Sequence, residues 1–194
     1  LYRSNAQSRA IEEALLRVSI TYRIYGGLRF YERLEIKNAI SYLRIIFNNN
    51  DNPSFERSIS NPTRGVGEKT LAKIRNAAKQ YNISYIKASA KLIDEGKISG
   101  RGGSGLKDYL EFIAGCKGFI EENSLSDLME LIIKETGLYA YHAKEAGEKG
   151  KTRTENLEEL ITATKNFEQS IKDERTNIEI AESYHDIISL DSGD

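Results

Sequence analysis

Cysteine and histidine are scarce in this chain, which excludes a disulfide framework and a metal scaffold. Among 194 residues there is one cysteine, Cys116, and there are two histidines, His142 and His185. One cysteine cannot close an intramolecular disulfide, and the histidines stand far apart without partners at metal-ligand spacing. We therefore expect no metal site and a reducing, cytoplasmic environment. Cys116 should lie in the apolar core, and both histidines should lie on the surface.

Long apolar runs are also missing. No stretch approaches the roughly 20 apolar residues that a membrane-spanning helix needs, so we expect no membrane partner. The first residues, LYRSNAQSR, show neither an initiator methionine nor a signal-peptide pattern, and we expect the chain to start within a longer protein. No Ser/His/Asp or Cys/His constellation can be placed, so we assign no catalytic residue.

Charge is nearly balanced over the whole chain but not along it. The net charge is −1, yet the chain through Lys79 has 14 Lys and Arg against 7 Asp and Glu, and the remainder has 14 against 22. The front is therefore basic and the back acidic. Because clustered Lys and Arg attract nucleic acid, the asymmetry predicts a nucleic-acid surface in the first part of the chain.

Apolar periodicity changes at Gly26-Gly27. Before this pair, strand-like segments at 1–4 and 21–25 enclose a helical period at 5–18, which predicts a strand–helix–strand fragment of a parallel α/β layer. Such a fragment cannot cover its own sheet edges, so its partner strands should come from outside this chain. We expect two units, an α/β fragment at 1–27 and a helical domain at 28–194.

The second unit is predicted to be mainly α. Its first helix spans Phe30–Phe47, with an apolar stripe of Ile36, Ile40, Leu43 and Phe47. Another face of the helix carries Arg33, Lys37 and Arg44. Further helices are expected at 52–59, 71–80, 84–93, 106–121, 124–136, 139–145, 154–167 and, more weakly, 178–190. Ser84 should cap one of them and Ser124 should open another with a capping box. Glycine-rich connections are expected at 100–105 and 147–152.

The stretch Asn61–Thr70, NPTRGVGEKT, is the strongest single signal for function. Two glycines flanking a valine permit a tight turn, and the amides that open the following helix can hold an anion. The surrounding positive charge favours a nucleic-acid backbone as that anion, and the alternative is an ordinary glycine turn between helices. The residues that we assign to nucleic-acid contact here are Arg64, Gly65, Val66, Gly67, Lys69 and Thr70.

Two further signals are weaker. The string GKT at Gly150–Thr152 resembles the end of a nucleotide-binding P-loop, but the first glycine of that loop should stand where Glu145 is, and no buried strand precedes the string. Lys37 and Arg44 lie seven residues apart, and so on one helical face that could follow a duplex backbone. From the residues alone, an ordinary solvated cationic face is favoured.

Four strings, in order, give the chain a resemblance to a known family. They are LYRSNAQSR, YRIYGGLRFYERLEIKNAISYLR, NPTRGVGEKTL and GEKGKTRTENLEEL. Together they resemble the UvrD/PcrA/Rep group of superfamily 1 DNA helicases over nearly the whole chain. These enzymes unwind duplex DNA in the 3′ to 5′ direction with ATP, and they have motor domains 1A and 2A and accessory domains 1B and 2B.

The resemblance implies roles for individual residues. It assigns 1–27 to the motif IV region of motor domain 2A, and 28–194 to the helical 2B domain with a helix-hairpin-helix-like element. Gly26-Gly27 would begin the hinge between them. The family's single-strand contacts match Arg3 and Asn5. Its duplex contacts match Lys37, Arg44 and Thr70, which favours a DNA role for the first two over a solvated face.

The resemblance also implies what this segment should lack. The family's phosphate-binding loop, metal-binding carboxylates and arginine finger match no part of the chain, so ATP and Mg²⁺ are expected in the parent helicase and no cofactor in this segment. We expect a region that binds DNA within a repair or replication helicase, beside the remaining helicase domains and repair proteins. The alternative is an autoregulatory and protein-interaction module of the same helicase.

Overall fold

The computed structural model of the chain describes residues 30–191, and its side chains are described for 30–173. Within this part a 3-10 turn at Phe30–Glu32 is followed by α-helices only, which confirms the prediction of a mainly α fold for the described residues. The helices are α1 (Leu34–Phe47), α2 (Asn52–Ser60), α3 (Glu68–Tyr81), α4 (Tyr85–Asp94), α5 (Gly100–Glu122), α6 (Leu125–Glu135), α7 (Leu138–Ala143) and α8 (Glu148–Asp191). The predicted unit at 1–27, with Arg3, Asn5, Gly26 and Gly27, lies outside the described residues.

Helix α1 lies at the centre of the fold and packs against α2, α5, α6 and α8. Its buried face includes Ile36, Tyr42 and Ile45, each fully buried. The predicted stripe was wrong at its end, because Phe47 is 62% exposed. Tyr42 belongs to the buried face instead. Its hydroxyl donates to the backbone oxygens of Ser58 (2.6 Å) and Asn61 (2.9 Å), so its polar atom is hydrogen-bonded inside the core.

Side-chain caps begin three of the helices. Asp51 accepts from the amide of Ser54 at the start of α2. Ser84 accepts from the amide of Lys87, as predicted. Ser124 and Asp127 form the predicted capping box at the start of α6, each side chain bonded to the other residue's amide. These caps satisfy amides that lack helical partners, which fixes where each helix begins.

The predicted glycine-rich connection at 100–105 was wrong, because these residues form the first turns of α5. A Cβ atom at Gly105 would stand 2.1 Å from the backbone oxygen of Arg64, and one at Gly102 would stand 2.9 Å from that of Gly65. Both glycines therefore serve close helix–backbone packing rather than chain flexibility. Composition alone does not distinguish these two uses of glycine.

The predicted connection at 147–152 and the gap between the last two helices were also wrong. Helix α8 begins at Glu148, so the GKT string lies inside it, and the helix continues to Asp191. Apolar periodicity at 154–167 marked only the packed part of this helix, and the polar residues beyond it include no proline that would end it. Although α8 has 44 residues, no helix in the described part is apolar enough over a sufficient length to cross a bilayer.

Candidate nucleic-acid interface

The loop Asn61–Gly67 joins α2 to α3, and an ion pair holds these two helices together. The Arg75 guanidinium on α3 donates to both carboxylate oxygens of Glu56 on α2, at 2.6 and 2.7 Å. Gly65 adopts φ +74, a conformation that other residues rarely adopt. The predicted glycine turn is thus present, and helix–helix contacts fix both of its ends.

Arg64 points into the fold rather than away from it. Its guanidinium donates to the backbone oxygens of Ser58, Pro62 and Thr136, at 3.3, 2.8 and 3.1 Å. It also lies over the rings of Tyr42 and Tyr109. These contacts favour a structural role for the Arg64 side chain, which joins the loop to the end of α6, over the phosphate contact that the sequence suggested.

The start of α3 is the part of this stretch that remains open. Gly67 stands at the N-cap without a side-chain cap, and no described atom lies within 4 Å of a Cβ built on it. Lys69 is exposed and Thr70 is half-buried in the first turn. Uncapped amides, an adjacent hydroxyl and a cation form a surface that suits a phosphate. Val66 packs against the core and holds the turn in place.

Helix α5 contributes a cation to the same surface that sequence reasoning did not find. The Cγ atom of Arg101 stands 3.1 Å from the position that a Cβ of Gly65 would occupy, and Arg101 is exposed. The signal was hidden because the surrounding glycines of the GRGGSG string suggested a linker. The close packing of Gly102 and Gly105 on the loop brings Arg101 beside it.

A second basic surface lies between α1 and α2. A groove of about 460 Å³ is lined by Lys37 and Arg44 from α1 and by Arg57 from α2. All three side chains are exposed. The structure thus brings the two α1 cations together in one groove, as their spacing predicted, and adds Arg57. The groove does not include the loop residues Gly65–Thr70.

Two residues with chemically reactive side chains, His142 and Cys116, lie in the core of the described part. His142 is 1% exposed, which corrects the prediction of a surface histidine; its Nδ1 lies 2.7 Å from Glu145, which also pairs with Arg153. Hydrogen bonding to His142 and then to Arg153 lowers the pKa of Glu145. Cys116 is buried as predicted, and burial raises the pKa of its thiol to about 11. No metal-binding cluster occurs among the side chains that the structure describes.

Known proteins with similar sequences point in the same direction. Residues 1–99 match the model of the UvrD-like helicase C-terminal domain. The chain is 47% identical over 174 residues to DNA helicase II of Escherichia coli (strain K12), which covers 90% of this chain and 24% of the relative. It is 36% identical over 173 residues to ATP-dependent DNA helicase PcrA of Bacillus subtilis (strain 168), covering 89% and 23%. The chain thus spans about a quarter of the length of these curated relatives.

Proposed function

Because the chain belongs to the UvrD-like helicase C-terminal domain family, we propose that it is the duplex-binding accessory region of an ATP-dependent 3′–5′ DNA helicase. The uncapped start of α3 carries this proposal. Its amides have no side-chain cap, and no described atom lies within 4 Å of a Cβ built on Gly67, so a ligand can reach them. Lys69 and Thr70 lie in its first turn. Glu68, the acidic residue of this turn, is paired with Arg75. A DNA phosphate supplies acceptor oxygens for the helix amides, Lys69 and Thr70.

The α1–α2 groove supports the same function. Lys37 and Arg44 line it side by side, and α2 leads from it directly into the Asn61–Gly67 loop. Amides, a hydroxyl and cations bind phosphates without reading bases, so binding should be independent of sequence. Each phosphate contact releases condensed counterions, so affinity should fall steeply as the salt concentration rises.

Within the parent helicase, the finer assignments follow the family resemblance. We assign 28–194 to a 2B-type domain whose α2–loop–α3 unit is helix-hairpin-helix-like, and 1–27 to motor domain 2A. Arg3 and Asn5 would contact the single strand, and Gly26-Gly27 would begin the hinge. ATP and Mg²⁺ would bind in the remaining helicase domains, which are partners of this segment.

Titration of a labelled duplex tests this proposal. Wild type should bind blunt duplex of unrelated sequences with equal affinity, and the double variant Lys37→Ala/Thr70→Ala should bind each about tenfold more weakly, as the loss of one cation and one hydroxyl contact predicts. Lys165→Ala, which removes an exposed cation from α8, is the charge control and should bind as wild type does. Equal affinity of the double variant and the control would reject the assigned surface.

A second candidate function is an autoregulatory and protein-interaction module, and a surface cavity on the acidic half favours it. The cavity, of about 510 Å³ between α6, α7 and α8, has an apolar lining that includes Ile133 and Ile161. Its charged residues are Glu158, Glu130 and Lys134, and the last two form an ion pair. The apolar lining and the Glu158 carboxylate suit an apolar segment with a basic residue, from another helicase domain or a repair protein.

Capture of such a partner distinguishes the two functions. If the second function holds, capture should persist in Lys37→Ala/Thr70→Ala, which weakens DNA binding, and be lost in Glu158→Lys, which reverses one charge of the cavity. Loss of capture in the first variant alone would show that DNA bridges the proteins, and it would reject the interaction module.

A further inference from the structure

The α1–α2 groove contains a cation that the family resemblance does not assign. Arg57 lies on α2 and faces the groove together with Lys37 and Arg44 from α1. It stands four residues before Asn61, whose side-chain amide donates to the Arg57 backbone oxygen at 3.0 Å. Arg57 thus lines the groove and is hydrogen-bonded to the loop that precedes α3.

The Arg57 guanidinium is held in place by a neutral side chain, which does not neutralise its charge. Its Nη1 donates to Oδ1 of Asn38 at 3.2 Å, and Asn38 is 2% exposed and therefore fixed. An amide oxygen is neutral, and a guanidinium has five N–H donors in a planar fork. One bond to Asn38 orients the fork and leaves the other donors for a ligand.

Nearby carboxylates do not neutralise Arg57. Among the residues with described side chains it forms no ion pair, whereas Arg75 on α3 is held by two glutamates. Of the described residues that line the groove, only Asp51 is acidic, and its oxygens accept from the amide and the hydroxyl of Ser54 at the start of α2. The groove therefore presents three cations to a ligand and one carboxylate that is already hydrogen-bonded.

We propose that Arg57 is a further phosphate-binding residue of the duplex surface, and that its guanidinium binds a backbone phosphate in the α1–α2 groove between Lys37 and Arg44 on one side and the loop on the other. The inference rests on the proposed duplex-binding function. A planar guanidinium matches two phosphate oxygens at once, which an ammonium cannot do. Arg57 would therefore fix the position of the duplex on α2 as well as attract it.

Substitution of Arg57 tests the inference directly. Arg57→Gln keeps a donor for Asn38 and removes the charge, and Lys165→Gln on α8 removes an exposed charge away from both surfaces. With blunt duplex at several salt concentrations, Arg57→Gln should bind about fivefold more weakly, and the slope of log affinity against log salt should fall by about 0.9, the value for one phosphate contact. Arg57→Lys should recover the slope but not the full affinity, because it restores charge without the fork.

The outcomes separate this inference from the function on which it rests. The role of Arg57 alone would be overturned if Arg57→Gln had the same affinity and slope as Lys165→Gln while Lys37→Ala/Arg44→Ala weakened binding. Wild-type affinity in all of these variants would overturn both proposals. Full recovery of affinity in Arg57→Lys would overturn the two-oxygen contact. Circular dichroism of each variant should match wild type, since Arg57 is exposed.

Discussion

The Arg75 guanidinium on α3 and the Glu56 carboxylate on α2 form two parallel hydrogen bonds, at 2.6 and 2.7 Å, across the base of the Asn61–Gly67 loop. Paired bonds of this kind constrain orientation as well as distance. The two helices that flank the loop are therefore fixed to each other by side chains that lie outside the proposed DNA surface. A phosphate that reaches the start of α3 meets a turn whose shape is set in advance.

Removing the Glu56 charge should lower stability in a pH-dependent way. Hydrogen bonding to Arg75 lowers the pKa of Glu56 below its ordinary 4.5. A lowered folded-state pKa means that the pair stabilises the fold above about pH 4.5 and that this stabilisation is lost as pH falls through the folded pKa. At neutral pH, Glu56→Gln should melt about 1–3 °C below wild type. In thermal melts, the melting temperatures of wild type and Glu56→Gln should converge as the pH falls through the acid range. A constant difference between them at every pH would contradict the role of the ion pair.

Gly67→Ala should weaken duplex binding while leaving the fold intact. Gly67 has φ −95, and no described atom lies within 4 Å of an added Cβ, so the protein itself has room for a methyl group. The methyl group would, however, occupy the space through which a phosphate approaches the α3 amides. We therefore expect duplex affinity to fall about tenfold, or ~1.4 kcal/mol. Gly118→Ala in α5, which also meets nothing within 4 Å, is the matched control. Wild-type affinity in Gly67→Ala would show that the backbone is not approached there.

Gly105→Ala should destabilise the fold, because α5 crosses the loop at this residue. Its Cβ would stand 2.1 Å from the Arg64 backbone oxygen, which cannot move without shifting the turn. We expect a loss of about 1–3 kcal/mol in the free energy of unfolding. Gly115→Ala, in the same helix and with open space around it, should be neutral or stabilising. Equal denaturant midpoints for the two variants would contradict the close packing.

Arg64 and Lys69 should separate structure from binding. Arg64→Gln removes a charged donor from three backbone oxygens and should cost about 2 kcal/mol of stability. Lys69→Gln removes an exposed cation and should leave stability unchanged while weakening duplex binding. Denaturant unfolding and duplex titration of both variants check this. Unchanged stability in Arg64→Gln would contradict the structural role of Arg64 and favour the phosphate contact that the sequence suggested.

Local signals predicted what is determined locally. The capping box at Ser124 and the turn at Gly65 depend on residues within a few positions, and both are present in the structure. The direction of Arg64 depends on carbonyls contributed by α2 and α6, and the burial of His142 depends on packing between α7 and α8. No spacing in the sequence encodes these contacts.

The same distinction applies to the site. Lys37 and Arg44 lie on one helix, and their spacing placed them together correctly. Arg57 joins them only because α2 packs on α1, and Arg101 reaches the loop only because Gly102 and Gly105, which follow it in α5, let that helix approach. Both residues come from elements whose contacts form in the folded protein, and a glycine-rich string looks alike in a linker and in a close crossing.

The salt dependence of duplex affinity tests the central claim most directly. Wild type and Lys37→Ala/Arg44→Ala/Thr70→Ala should be compared by fluorescence anisotropy with blunt duplex of two unrelated sequences. We predict equal affinity for the two sequences and a linear fall of log affinity with log salt in wild type. The slope of the triple variant should be smaller in magnitude by about 1.8, because two cationic contacts are lost. A wild-type slope near zero, or an unchanged slope in the triple variant, would contradict phosphate binding by these residues.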